Sequence, residues 1–244
     1  MFDLGWLQWL IVSLCAVMVG MTKTGIPGLS VLAVPLMVEV FPARASTGIM
    51  LPMLIFADVF AILYYRRHVV WSHLLRVLPW TATGVVIGYL LLGWINDREL
   101  KSLIGIIILV ILSVEQWRDR KAEATIPRQW WFAASFGLLA GVTTMMANAA
   151  GPFVTIYLLS MRLPKIEFMG ISAWYYFILN WFKVPFSFSM GLINSWSLQL
   201  DFVVFPMIAV GAILGAKILK NIPQKRFKNL LQILAAAAAI TLLF

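Results

Sequence analysis

Cysteine occurs once in this chain of 244 residues, at Cys15. One thiol excludes an intramolecular disulfide and provides neither a redox pair nor a thiolate metal cluster. Histidine occurs twice, at His68 and His73, beside basic residues. That pair is too sparse for a zinc site, which needs several His, Cys or carboxylate ligands. The chain has no G-x-S-x-G nucleophile elbow and no P-loop lysine motif, so neither a serine hydrolase nor ATP-driven transport is expected from it. No catalytic residue, metal or cofactor is expected. Charge is also scarce. Only 12% of residues are Asp, Glu, Lys or Arg, about half the proportion in ordinary soluble domains.

What the chain has instead is apolar surface. It is 62% hydrophobic, with sixteen Phe and eleven Trp. Ten apolar segments run over residues 4–20, 29–41, 47–65, 74–95, 100–116, 129–147, 152–161, 168–190, 202–219 and 228–244. Most approach the roughly 20 residues that span a hydrocarbon core; the second and seventh are too short to cross as straight helices. The fold expected is an all-α polytopic membrane protein of about ten transmembrane or part-transmembrane helices. The opening "MFDLGWLQWL" has Asp3 and no basic region, so it reads as a retained first helix and not as a cleaved signal peptide.

The net charge of +9 does not point to nucleic acid, because the cations sit in short loops. Odd-numbered loops hold Lys23; Arg66 and Arg67; Arg118, Arg120, Lys121 and Arg128; Arg162 and Lys165; Lys220, Lys225, Arg226 and Lys228. Even-numbered loops hold Arg44, Arg98 and Lys101. The positive-inside rule then puts both termini outside and the linker "RDRKAEATIPR" (118–128) in the cytoplasm.

That linker divides two stretches, 1–117 and 129–244, whose marker residues recur. Pro42–Gly48–Asp58 is spaced as Pro164–Gly170–Asn180, and both stretches close with P-x4-G-x3-G, at Pro79–Gly84–Gly88 and Pro206–Gly211–Gly215. Each stretch holds an odd number of segments, so the two copies of one fold would be inverted. This is the usual construction of a secondary transporter.

The recurrence also aligns two interruptions. "VGMTKTGIPGLS" (19–30) breaks the apolar pattern with Thr22, Lys23, Thr24, Gly25 and Gly28, and "AGVTTMMANAAG" (140–151) breaks it with Asn148 and Gly151. A discontinuous helix frees backbone N–H groups, and the half-helix after it presents a positive dipole end. Paired interruptions are the best sequence pointer to a transporter's central site. The competing reading of Lys23 is a loop charge at the membrane surface. Asp58, in the middle of segment 3, is at a costly depth for a charge. It is either a carrier of a coupling proton or a structural partner of Lys183 or of a hydroxyl. Asn180, its counterpart, and Lys183, one turn on, share a helix face and form an anion-binding pair unless Lys183 reaches to an interface.

The stretch "GIPGLSVLAVPL" (25–36), its repeat "GLLAGVTTMMANAAGPFVTIYLL" (137–159), the late G-x3-G pieces and the ending "NIPQKRFKNLLQILAAAAA" (221–239) resemble the sulfite exporter TauE/SafE family over nearly the whole chain. The second copy departs from the family's run of glycines at Met145, Met146 and Asn148. The resemblance implies a bacterial inner-membrane, multi-pass carrier that exports small sulfur-containing anions such as sulfite, sulfoacetate or other organosulfonates. The expected partners are that anion and the lipid bilayer, with a homodimer compatible. The rival readings are another five-plus-five carrier of the drug/metabolite-exporter kind and an anion channel. On either transport reading the substrate contacts are Thr22, Lys23, Thr24, Gly25, Gly28, Asn148, Gly151, Asn180 and Lys183.

Overall fold

The computed structural model describes residues 4–25, 29–100, 102, 103, 105, 106, 109, 110, 130–161 and 163–218. Gly28, Arg162, the linker 118–128 and the tenth segment 228–244 lie outside them. Among the described residues every regular element is helical. The elements are α1 (Trp6–Thr24), α2 (Ser30–Val40), α3 (Ala43–Tyr65) with a closing 3-10 turn at Arg66–His68, α4 (Trp71–Trp94), α5 (Trp130–Ala147), α6 (Gly151–Ser160), α7 (Lys165–Ser189) and α8 (Ser195–Ile218). The described residues between 97 and 110 are helical as well.

Five of these helices, α1, α3, α4, α5 and α8, are long and apolar enough to cross a membrane. Their outward faces carry Leu63, Leu75, Phe202 and Ile213 in exposed positions, where a soluble protein would place charge. At 25 residues α7 has the length, but Glu167, Asn180 and Lys183 make it more polar. The short segments are short helices of 11 and 10 residues, about 16 and 15 Å at 1.5 Å per residue. That is half of a hydrocarbon core about 30 Å thick.

Several boundaries differ from the apolar runs, each for a local reason. Residues 195–201 belong to α8 because Asn194 and Ser197 cap it reciprocally: Ser197 N–H donates to Asn194 Oδ1 at 2.9 Å and Asn194 N–H to Ser197 Oγ at 3.0 Å. The same box opens the helical residues after α4, where Glu99 N–H donates to Asn96 Oδ1 and Asn96 N–H to Glu99 Oε2, both at 2.9 Å. Such polar starts satisfy donors that an apolar count does not register.

Apolar attraction between helices is weak in lipid, so small residues that allow close approach hold bundles together. Two seams of that kind organise this bundle, α1 on α8 and α4 on α5. In the first, a Cβ at Gly20 would strike the Ile208 carbonyl, and one at Gly211 would strike Val17. In the second, a Cβ at Gly141 would strike the Thr81 carbonyl, and one at Gly84 the Leu138 carbonyl. The loops follow the same exchange, with Gly48 packed on Leu192 and Gly170 on His68 and Val69. Pro42 and Pro164 each stand as the N-cap of the long helix that follows. Those two long helices, α3 and α7, pack on each other at the centre.

Candidate functional site

The first interruption begins later than the sequence pattern indicates. Thr22, Lys23 and Thr24 form the last turn of α1, and the helix ends at Gly25. Gly25 is required there, because any side chain would run into the Gly215 carbonyl of α8. The second interruption follows Ala147. Asn148 takes φ 51°, a left-handed conformation that Asn tolerates better than most residues. Its N–H donates to Thr144 O at 3.0 Å and that of Ala149 to Thr143 O at 3.3 Å, which closes α5. The chain then re-enters helix at Gly151.

Both breaks abut a buried polar cluster. Lys23 Nζ lies 2.8 Å from Asp58 Oδ1, with both side chains almost fully buried, and 4.0 Å from the centre of the Tyr176 ring. The second Asp58 oxygen, Oδ2, accepts from Asn180 Nδ2 at 2.6 Å. One turn along α7, Lys183 is 1% exposed. Its ammonium donates to Asn148 Oδ1 at 2.6 Å, to Thr144 O at 2.7 Å and to Thr144 Oγ1 at 3.3 Å. Asn148 Nδ2 in turn donates to Thr47 O at 3.0 Å. The three ammonium donors thus meet three oxygens, all on neutral groups.

These contacts take one cation out of the loop count and exclude two of the competing readings. Lys23 is no loop charge, since its ammonium is paired inside the protein; the remaining cations of the odd-numbered loops are unaffected. Asp58 pairs with Lys23 and Asn180, not with Lys183. Lys183 does not reach to an interface, because Thr144 and Asn148 hold it within the bundle.

A cavity opens where the two breaks meet. Thr22, Lys23, Asn148, Gly151 and Asn180 line it. Thr22 Oγ1 is buried with no hydrogen-bond partner among the described residues. Lys183 sits behind the lining, against Thr144 and Asn148. Thr24 and Gly25 belong to the α1–α8 seam, where Thr24 Oγ1 donates to Ala212 O at 2.7 Å. Gly28 is outside the described residues. The first residues of the two short helices, Ser30 of α2 and Gly151 of α6, both face the cavity, so two positive dipole ends converge on it. The remaining wall is mixed, with Leu54, Ala61, Phe168 and Met169 beside the hydroxyls of Thr155, Ser172 and Tyr176. Sequence reasoning missed those three hydroxyls, Ser30 and Thr144, which also lines the cavity. A signal for two of them was present, since Ser172, Tyr176, Asn180 and Lys183 form one stripe at helical spacing in an otherwise apolar segment.

The arrangement offers a cation, two dipole ends, two amides and several hydroxyls to a small ligand, with no carboxylate among the described residues that line it. That donor-rich composition suits an oxyanion. The family model described as Sulfite exporter TauE/SafE matches residues 12–242. The "Probable inner membrane transporter protein TsaS" of Comamonas testosteroni is 27% identical over 182 residues, which cover 72% of this chain and 73% of that protein. No solved structure matches the chain.

Proposed function

The chain belongs to the sulfite exporter TauE/SafE family, and from that premise we propose that it is a secondary transporter exporting small sulfur-containing anions across the inner membrane. Sulfite, sulfoacetate and other organosulfonates are its substrate class. The anion binds in the cavity between the two helix breaks, held by Lys23, Thr22, Tyr176, Asn148, Asn180 and the N-termini of α2 and α6. The single observation that carries this reading is that both breaks open onto one cavity whose described lining residues include a lysine and no carboxylate.

The two halves, 1–117 and 129–244, are inverted copies, with both termini outside and the linker 118–128 in the cytoplasm. Support for the copies comes from the reciprocity of the packing, in which α1 meets α8 as α5 meets α4 and α3 meets its counterpart α7. The seams also favour a particular motion. Rocking one half against the other would separate Gly20 from Gly211 and Gly84 from Gly141. The bodies that move are therefore the exchanged pairs, α1 with α8 and α4 with α5, and the site between them opens to each side in turn.

The test is transport by the purified protein in liposomes. Saturable uptake of labelled sulfite, accelerated by unlabelled substrate on the opposite side, is the expected result. It should be lost in Lys183→Ala and strongly reduced in Lys23→Ala. An anion conductance without exchange would make the protein a channel. No flux of any sulfur oxyanion would remove the assignment.

A further inference from the structure

We propose that Asp58 sets the charge of the anion the site admits: by cancelling one of two buried lysines, it leaves a single positive charge, which matches a monoanion and disfavours a dianion. This rests on the binding site assigned above and narrows its ligand by charge: hydrogensulfite and organosulfonates with one acidic group fit, whereas sulfoacetate, which bears both a sulfonate and a carboxylate, is a dianion at neutral pH and fits poorly.

The count comes from the buried charged groups of the described residues, which are Lys23, Asp58, Lys183 and Asp201. Asp201 lies on α8 and is not part of the cavity lining. The other three adjoin the cavity. Lys23 and Asp58 neutralise each other at 2.8 Å, whereas Lys183 is held by neutral oxygens alone. With the lysines protonated and Asp58 ionised, the sum is one positive charge. A monoanion brings the buried cluster to neutrality. A dianion would leave an uncompensated negative charge in a largely apolar interior, which is expensive. Asp58 is not itself on the cavity lining and, on this reading, does not touch the ligand. It acts through Lys23, and so is a specificity-positioning residue rather than a contact.

Methanesulfonate and sulfate test this cleanly, because they share a tetrahedral sulfur and differ by a methyl group in place of a charged oxygen. Binding of each to the purified full chain is measured by calorimetry near neutral pH. Wild type is expected to prefer methanesulfonate by roughly tenfold or more, because the second charge of sulfate loses its hydration with no second cation to offset it. Asp58→Asn raises the sum to two positive charges and should shift the ratio toward sulfate by at least about tenfold. Lys23→Met brings the sum to zero and should weaken both ligands.

Lys23→Met combined with Asp58→Asn removes the pair together, so no buried charge is stranded if the single variants fold poorly. Lys183 alone then supplies the charge, and the wild-type preference for methanesulfonate should return. Equal wild-type binding of the two anions would overturn the inference and leave the transport assignment standing. So would an unchanged ratio in folded Asp58→Asn, or a double variant that prefers sulfate. Binding of neither anion by wild type would overturn the assignment itself and the inference with it.

Discussion

The α1–α3 contact and the α5–α7 contact each bury a lysine, but they supply it from opposite sides. The seams give the correspondence. Gly20 faces Ile208 and Gly211 as Gly141 faces Thr81 and Gly84, so Lys23 corresponds to Thr144, three residues beyond its glycine. Pro42 and Pro164, as matching N-caps, align Asp58 with Asn180 and Ala61 with Lys183. In the first contact the lysine is on the interrupted helix and its partner is a carboxylate on the long helix. In the second the lysine is on the long helix and its partners are the neutral oxygens of Thr144 and Asn148. The first contact carries no net charge, and the second carries one. A pair of identical contacts would have been either neutral or doubly charged, so the asymmetry is what gives a symmetric frame a single buried positive charge.

The largest expected effect comes from breaking the first contact on its acidic side. Asp58→Ala strands the Lys23 ammonium in the protein interior and should cost about 3 to 5 kcal/mol, seen as a large drop in the thermal midpoint of the detergent-purified protein. Lys183→Met strands no charge. It leaves Asn148 Oδ1 without its ammonium donor, while Thr144 O keeps the Asn148 N–H, a loss of about 1 to 3 kcal/mol, and it removes anion binding. Stability and binding should thus separate, with Asp58→Ala the worse for folding and Lys183→Met the worse for ligand. If Lys183→Met melted as low as Asp58→Ala, the two contacts would not differ in the way described.

The seams are where the two regions should behave alike. Gly20→Ala and Gly141→Ala each place a methyl group against a backbone carbonyl of the partner helix, at Ile208 and Thr81. Backbone does not yield as a side-chain tip does, so each should cost about 1 to 3 kcal/mol. Gly93, which has open space around it, is the control, and Gly93→Ala should change little. Melting of the three variants in parallel checks this. A tolerant Gly141 beside an intolerant Gly20 would mean that only one seam is tightly closed.

The parts of this arrangement that could be read in the sequence were those written in backbone chemistry. Glycines at fixed spacing from Pro79 and Pro206 marked the seams, because only a missing side chain permits that approach. The short second and seventh segments marked the broken helices, because length alone decides what spans. What could not be read was partnership. Asp58 and Lys23 are thirty-five residues apart in sequence, and nothing local indicates that the carboxylate takes Lys23 and leaves Lys183 to Thr144 and Asn148. That outcome depends on how α3 and α7 lie against the ends of α1 and α5. The boundaries were missed for a different reason: Asn96 and Asn194 announce helix starts by side-chain hydrogen bonds, and a count of apolar residues passes over them.

The smallest effect sharpens the comparison within the seams themselves. Thr24 crosses the α1–α8 seam, where its hydroxyl donates to Ala212 O at 2.7 Å and approaches Gly20 O at 3.3 Å. Its counterpart on α5 is Met145, which has no hydroxyl and instead packs its Cβ near Gly88. At this position one seam therefore adds an interhelical hydrogen bond to close packing, where the other has packing alone. Such bonds average about 0.6 kcal/mol between membrane helices, so Thr24→Val, which keeps the shape, should lower stability by about that amount. Tyr65 Oη also donates to the Thr24 carbonyl at 2.7 Å, a backbone contact that the substitution preserves and that ties the end of α1 to α3. The readout is therefore a small shift in thermal midpoint with substrate affinity unchanged. A loss of affinity in Thr24→Val would mean that the end of α1 is positioned through the seam, and that Lys23 depends on the α8 contact as well as on Asp58.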